Sequence, residues 1–264
     1  SEDGTLLGTI LDDFMAVVID VSTGKVVARF EGHEGHLMDL EFNGDSTQAL
    51  TTSWDNTAQL WDIASGALLH TFSAHTDTVV SATFSEDGRF LATNSNDEET
   101  IVWNLSDYTE RFRIKHAARE YHAAFTKSGD AIATTASDGA LSIWDTATGT
   151  MRTHSERQNE HPGPIEFNQS GSRIISTSFS ESHLWDSHTG ARLVSLDSPI
   201  DRPKISMFSA NMPGIIVATW EGNLIRYTTP PVRPNTPATT HADIAALINE
   251  SRGEESPAEM SSDP

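Results

Sequence analysis

Cysteine is absent from the 264 residues. Disulfides, cysteine nucleophiles and thiolate metal sites are therefore excluded, while the redox compartment stays undecided. No apolar run reaches the roughly 18 residues that a membrane-crossing helix needs. Basic side chains are scarce. Lys and Arg number 17 against 38 Asp and Glu, for a formal net charge of −21. Such a surface repels phosphate, so nucleic acid and anionic membrane are excluded as partners. No glycine-rich phosphate loop is present, and no Gly-x-Ser-x-Gly elbow. The chain opens on Ser1 with no visible signal sequence, and a cytoplasmic location is expected. The hydrophobic fraction of 37% is enough for a large core and argues against a wholly disordered chain.

What is present is a beat. Trp61-Asp62, Trp103-Asn104, Trp144-Asp145 and Trp185-Asp186 recur every 41 or 42 residues, with Ile19-Asp20 and Tyr227-Thr228 as weaker copies on the same grid. Phe42, Phe84, Phe125, Phe167 and Phe208 keep the same period. A turn pair follows the Asp at Thr23-Gly24, Ser65-Gly66, Thr148-Gly149 and Thr189-Gly190. Within one period the pattern is β: Leu37 to Phe42, Ala49 to Thr52, Thr57 to Trp61 and Ala67 to Phe72 read as strands separated by turn residues. A four-stranded sheet of this size cannot bury both faces alone. Radial stacking of such sheets does bury them, which predicts an all-β propeller of about six four-stranded antiparallel blades.

Residues 1–228 resemble the WD-repeat family. The best repeat runs through Gly32-His33, Phe42, Gly44-Asp45, Ser53-Trp54-Asp55-Asn56-Thr57 and Trp61-Asp62. The resemblance implies a structural network of His, Ser or Thr, Asp and Trp in each blade. The matching sets are His33, Ser53, Asp55 and Trp61; His75, Ser95, Asp97 and Trp103; and His116, Asp138 and Trp144, with Ala136 where Ser would stand. A catalytic triad would occur once and would come with an oxyanion hole. This set repeats at the blade period, so it is expected to brace the fold. The first, fifth and sixth repeats lack parts of it, and their blades are expected to be looser.

Ser1-Glu2-Asp3-Gly4 matches Ser85-Glu86-Asp87-Gly88, the turn between the first two strands of a blade. The first blade, 1–30, is thus expected to hold three strands, blades two to five four each, and the sixth three. The expectation is an N-terminally truncated part of a six- or seven-bladed ring within a longer chain. Residues 229–264, rich in Pro and acidic residues, are expected to form a disordered tail, with room for a short helix over 241–252.

No metal or cofactor is expected. His33 and His36 lack further ligands at zinc spacing, and the acidic turns lack a calcium-loop pattern. Partner binding remains. The resemblance implies that the residue before the network Asp points to one face, here Asp12, Trp54, Asn96, Ser137 and Trp220. Glu34 and His36 lie beside these positions. Tryptophan at turn tips is unusual and is enriched at binding hot spots. The expected role is a non-catalytic scaffold or sensor that binds a basic or amphipathic protein or peptide. The alternatives are a propeller enzyme of hydrolase or lactonase type, with Asp and His on the innermost strands, and the regulatory part of a larger signalling enzyme.

Overall fold

The computed structural model describes residues 1–227 apart from 2, 13, 117–119, 137–138, 156–161, 179–180, 198–201 and 209–213. The expected tail and helix beyond 228 lie outside these residues, as do Ser137 and Asp138. Every regular element described is a β-strand.

The strands form six antiparallel sheets, each a meander in chain order. The first holds β1 (Leu6–Asp12), β2 (Met15–Asp20) and β3 (Val26–Glu31). The second holds β4 (Leu37–Phe42), β5 (Gln48–Ser53), β6 (Ala58–Asp62) and β7 (Leu68–Phe72). The third holds β8 (Val79–Phe84), β9 (Phe90–Ser95), β10 (Glu99–Asn104) and β11 (Glu110–Lys115). The fourth holds β12 (Glu120–Phe125), β13 (Ala131–Ala136), β14 (Leu141–Asp145) and β15 (Met151–His154). The fifth holds β16 (Pro162–Phe167), β17 (Arg173–Ser178), β18 (Glu181–Asp186) and β19 (Arg192–Asp197). The sixth holds β20 (Pro203–Phe208), β21 (Ile215–Thr219) and β22 (Leu224–Tyr227).

The second residue of each Trp-Asp pair makes a turn. Asp62 Oδ1 accepts the Ser65 N–H at 2.8 Å, and the Gly66 N–H bonds back to the Asp62 carbonyl at 2.9 Å. Gly66 has φ 69°, which costs glycine little and other residues more. Asp20, Asp145 and Asp186 build the same turn before Gly24, Gly149 and Gly190. These turns join the last two strands of the sheets that hold them.

The core lies between the sheets. Ala16, Val18 and Phe30 of the first sheet pack with Leu37, Ala49 and Trp61 of the second. Leu50, Leu60 and Phe72 then pack with Phe84, Leu91 and Trp103 of the third. Three further layers join sheets three to four, four to five, and five to six. Middle strands are covered on both sides and read as continuous buried runs, as in β9 and β17. Burying one large apolar side chain in such a layer contributes about 1.5–3 kcal/mol. A lone sheet would forfeit these layers. Leu7 of β1 and Leu224 of β22 stand exposed.

Candidate docking face

The brace in the second sheet is a chain of short bonds. His33 Nδ1 lies 2.7 Å from Asp55 Oδ2, and Nε2 lies 2.8 Å from Thr51 Oγ1. The Trp61 indole N–H donates to the same Thr51 oxygen at 2.8 Å. Asp55 also accepts the Glu34 and Thr57 N–H groups at 2.9 Å each. Burial works against its charge, but the bonds from Thr57, His33 and Glu34 outweigh it and hold the carboxyl below its usual range. The third sheet repeats the design. His75 joins Asp97 at 2.9 Å and Thr93 at 2.8 Å, and Trp103 donates to Thr93 at 3.0 Å.

The hydroxyl that joins His to Trp is thus Thr51 or Thr93, two residues before the serines named from the sequence. Side chains on a strand share a face at every second residue, so Thr51 and Ser53 point the same way, but only Thr51 lies between the two rings. Ser53 instead accepts the Asp55 N–H at 3.1 Å. Ser95 accepts the Asp97 N–H and also donates to the Asp77 carbonyl. The missed hydroxyl was legible: Thr51, Thr93 and Thr134 stand ten residues before Trp61, Trp103 and Trp144. Trp144 donates to Thr134 at 3.2 Å, while His116 reaches Thr100 of the preceding sheet at 3.2 Å.

A Thr–His–Asp chain has the connectivity of a hydrolytic triad. Here the threonine is fully buried, and its oxygen accepts the indole N–H. The same arrangement occurs in two sheets. The chemistry is that of a brace that satisfies buried polar groups.

The braces hold one end of the stack in place. There the turns between second and third strands meet the loops that enter each sheet. The Trp54 N–H bonds the His36 carbonyl at 2.9 Å, Asn96 bonds Thr78 at 3.0 Å, and Trp220 bonds Arg202 at 3.1 Å. Asn56, Glu98 and Gly222 take positive φ at corresponding positions of these turns. A Cβ on Gly35 would lie 2.6 Å from the Asp55 nitrogen and 2.9 Å from the Trp54 carbonyl carbon, so the entering loop rests directly on the turn.

With its backbone fixed, Trp54 stands 55% exposed and Trp220 58% exposed. Trp54 meets the His36 ring edge-on at 4.6 Å. Phe14 of the first sheet also stacks on the His36 ring, at 5.3 Å. Phe14, His36 and Trp54 therefore form one aromatic cluster across two sheets, with exposed Glu34 in the same entering loop as His36. Phe14 was not singled out from the sequence, although it directly follows Asp12-Asp13 at a turn tip. The Trp220 ring carries Lys204, whose Nζ lies 4.8 Å from the centroid. Asn96 is half-buried in its turn. Asp12 ends β1, and its side chain lies outside the description, as does Ser137.

Titratable groups also occupy the innermost strands: Asp39 and Glu41 on β4, His122 on β12 and Glu166 on β16. Loss of water around it pushes His122 down to about 4. Glu41 and Glu166 make hydrogen bonds to the following sheet. Among the described residues, no group of three His, Asp or Glu side chains is placed to hold a metal ion.

The family model described as "WD domain, G-beta repeat" matches residues 24–62 and 66–104. The chain carries WD40 repeats. The two matched repeats end on Asp62 and Asn104, one residue past Trp61 and Trp103 of the two complete braces. Human WD repeat-containing protein 36 is 36% identical over 59 residues, 22% of this chain and 7% of that protein. The guanine nucleotide-binding protein subunit beta of Saccharomyces cerevisiae is 34% identical over 61 residues, 23% of this chain and 14% of its own length. Human WD repeat-containing protein 37 is 36% identical over 56 residues, 21% of this chain and 11% of that protein. The matches thus span between 7% and 14% of these relatives. WD40 repeats in general build scaffolds for protein interaction, and the six antiparallel sheets are consistent with blades of that fold.

Proposed function

We propose that this chain is a non-catalytic scaffold whose braced face binds a basic or amphipathic segment of another protein. The observation that carries this reading is the exposed cluster of Phe14, His36 and Trp54 on turns fixed by buried hydrogen bonds. Rigid turns holding exposed rings are pre-organised, so little entropy is lost when a partner seats on them. Ring faces attract ammonium and guanidinium groups by about 0.5–2 kcal/mol per contact. Lys204 over Trp220 is an internal example of that contact on this face. The net charge of −21 adds long-range steering for a cationic partner.

The test is titration of Lys- and Arg-rich amphipathic peptides against tryptophan fluorescence, with Trp54→Ala, Trp220→Ala and Phe14→Ala beside the unaltered chain. Both tryptophan variants are expected to keep their β-sheet circular dichroism. Trp54→Ala and Phe14→Ala are expected to weaken binding about tenfold or more, as hot-spot residues do. Unchanged affinity in well-folded variants, or preference for acidic peptides, rejects the reading. Unfolding of both tryptophan variants would mean that these rings support the sheets.

A further inference from the structure

The third and fourth sheets close on a ring. Phe90 opens β9 and packs in one buried layer with Ile132 of the fourth sheet. Its ring stacks against Phe125 of β12, with centroids 6.4 Å apart. The Arg111 guanidinium lies over the same ring, 5.1 Å from the centroid, and Arg89 lies 4.9 Å from it. Arg111 reaches across the interface from β11, where it donates to the Thr146 and Ala147 carbonyls at 2.9 and 3.0 Å.

One interface later the outer members of this arrangement recur without the ring. Phe167 stands at the place of Phe125 and Arg152 at the place of Arg111, but Ala131 stands at the place of Phe90. Arg152 bonds back to its own sheet instead of crossing. Asp145 replaces Asn104 and Asp130 replaces Arg89, and together they hold the guanidinium. Its Nη2 donates to Asp145 Oδ2 at 2.7 Å and to the Asp130 carbonyl at 2.8 Å. The result is a cleft of about 480 Å³ between the fourth and fifth sheets. Ala131, Ile143 and Phe167, buried members of one apolar layer, line its floor. Exposed Arg152, Ser128 and Ser170 line its rim. Protein interiors are normally filled to the density of organic crystals, so an opening of this size against buried apolar side chains is room for another group.

We propose that this cleft seats an aromatic side chain, Phe or Tyr, carried by a segment of another protein. The seated ring takes the place that Phe90 takes one interface earlier. The neighbours that remain set the chemistry of the occupant. Phe167 offers the ring that Phe125 offers to Phe90, and aromatic pairs gain more than their buried area alone provides. Arg152 supplies a cation at the position from which Arg111 attracts Phe90. Residues 228–264 contain no Phe, Tyr or Trp, so that stretch of the chain does not bring the ring. The rim hydroxyls of Ser128 and Ser170 suit the backbone of a peptide on either side of the ring. The cleft opens among the turns between first and second strands, at the end of the sheets opposite the braced turns. The inference is therefore independent of the docking face that carries Phe14, His36 and Trp54.

The test is NMR titration of the full chain, read at the methyl groups of Ala131 and Ile143. The probes are the peptide acetyl-Gly-Ser-Phe-Ser-Gly-amide, the same peptide with Leu for Phe, and p-cresol as a free ring. The Phe peptide is expected to shift both methyl resonances by its ring current and to saturate. It is expected to bind about fivefold or more tightly than the Leu peptide. Ala131→Phe, which restores the ring of the preceding interface, is expected to fold and to lose this binding. Phe167→Leu is expected to weaken the Phe peptide about threefold or more and to leave the Leu peptide unchanged. No methyl shift with the Phe peptide, equal affinity for the Phe and Leu peptides, or affinity untouched by Phe167→Leu overturns the proposal. Binding of p-cresol as tight as that of the peptide overturns the assignment to a protein segment. If Ala131→Phe does not fold, Phe167→Leu and the two peptides on the unaltered chain decide.

Discussion

Thr51 is a small residue with a large task. Its single oxygen meets the His33 ring and the Trp61 indole in a space that water does not reach. Truncation to alanine would leave two buried polar groups without a partner, each worth about 1–3 kcal/mol when unsatisfied. Thr51→Ala is therefore expected to lower unfolding stability by at least that amount in urea titrations. Thr51→Ser, which restores the oxygen, is expected to recover most of the loss. Equal stability of the two variants would show that the hydroxyl does not matter and that only the lost methyl group does. The sequence displayed the His, Asp and Trp of this brace through their constant spacing. It disguised the threonine, because strand alternation puts Ser53 on the same side and only the tertiary packing selects between them.

At the scale of an element, the loop before β4 shows how a sheet presents a side chain to solvent. Gly35 lies so close to the turn between β5 and β6 that a methyl group would meet backbone atoms, which cannot rotate away. Gly35→Ala is expected to cost about 1–3 kcal/mol, the usual range for overpacking. It is also expected to shift Trp54 emission, because the displaced turn carries that ring. Gly8 offers the contrast: its crowding comes from the Leu40 side chain, which can change rotamer. Gly8→Ala is expected to be milder. Unchanged fluorescence and stability in Gly35→Ala would show that the loop yields freely. The turns themselves were readable in advance. Thr-Gly and Ser-Gly pairs four residues past Trp61, Trp144 and Trp185 carry both the capping hydroxyl and the glycine that positive φ favours; past Trp103 the place of the glycine is taken by Tyr108, at φ 59°.

Across the whole molecule, each sheet depends on its neighbours for a covered face. Sheets two and three combine apolar layers on both sides with complete braces, whereas the first sheet has Ile19 at the Trp position and the last has Tyr227. In stacked arrays stability is set by each unit and its nearest-neighbour interfaces. Amide exchange is therefore expected to be slowest in β5, β6, β9 and β10. It is expected to be fastest in the first, fifth and sixth sheets. Uniform protection would mean that the stack opens only as one unit. Removing a layer residue in the middle should be costly: Ile132, fully buried between sheets three and four, is expected to lose about 2–5 kcal/mol on truncation to alanine.

The sequence by itself determined the repeat, the number of strands within it, the turn chemistry and the spacing of the braces. All of these follow from local rules with a fixed period, so one chain repeats them often enough to be read without a structure. Only the tertiary structure decided which residues from different repeats meet. Phe14 joins His36 and Trp54, and Glu41 reaches Phe84, across gaps that no periodicity records. The reason is physical. Local pattern sets where a side chain points within its own sheet, but its neighbours across the layer, its loss of water and its resulting charge are set by how one sheet leans on the next.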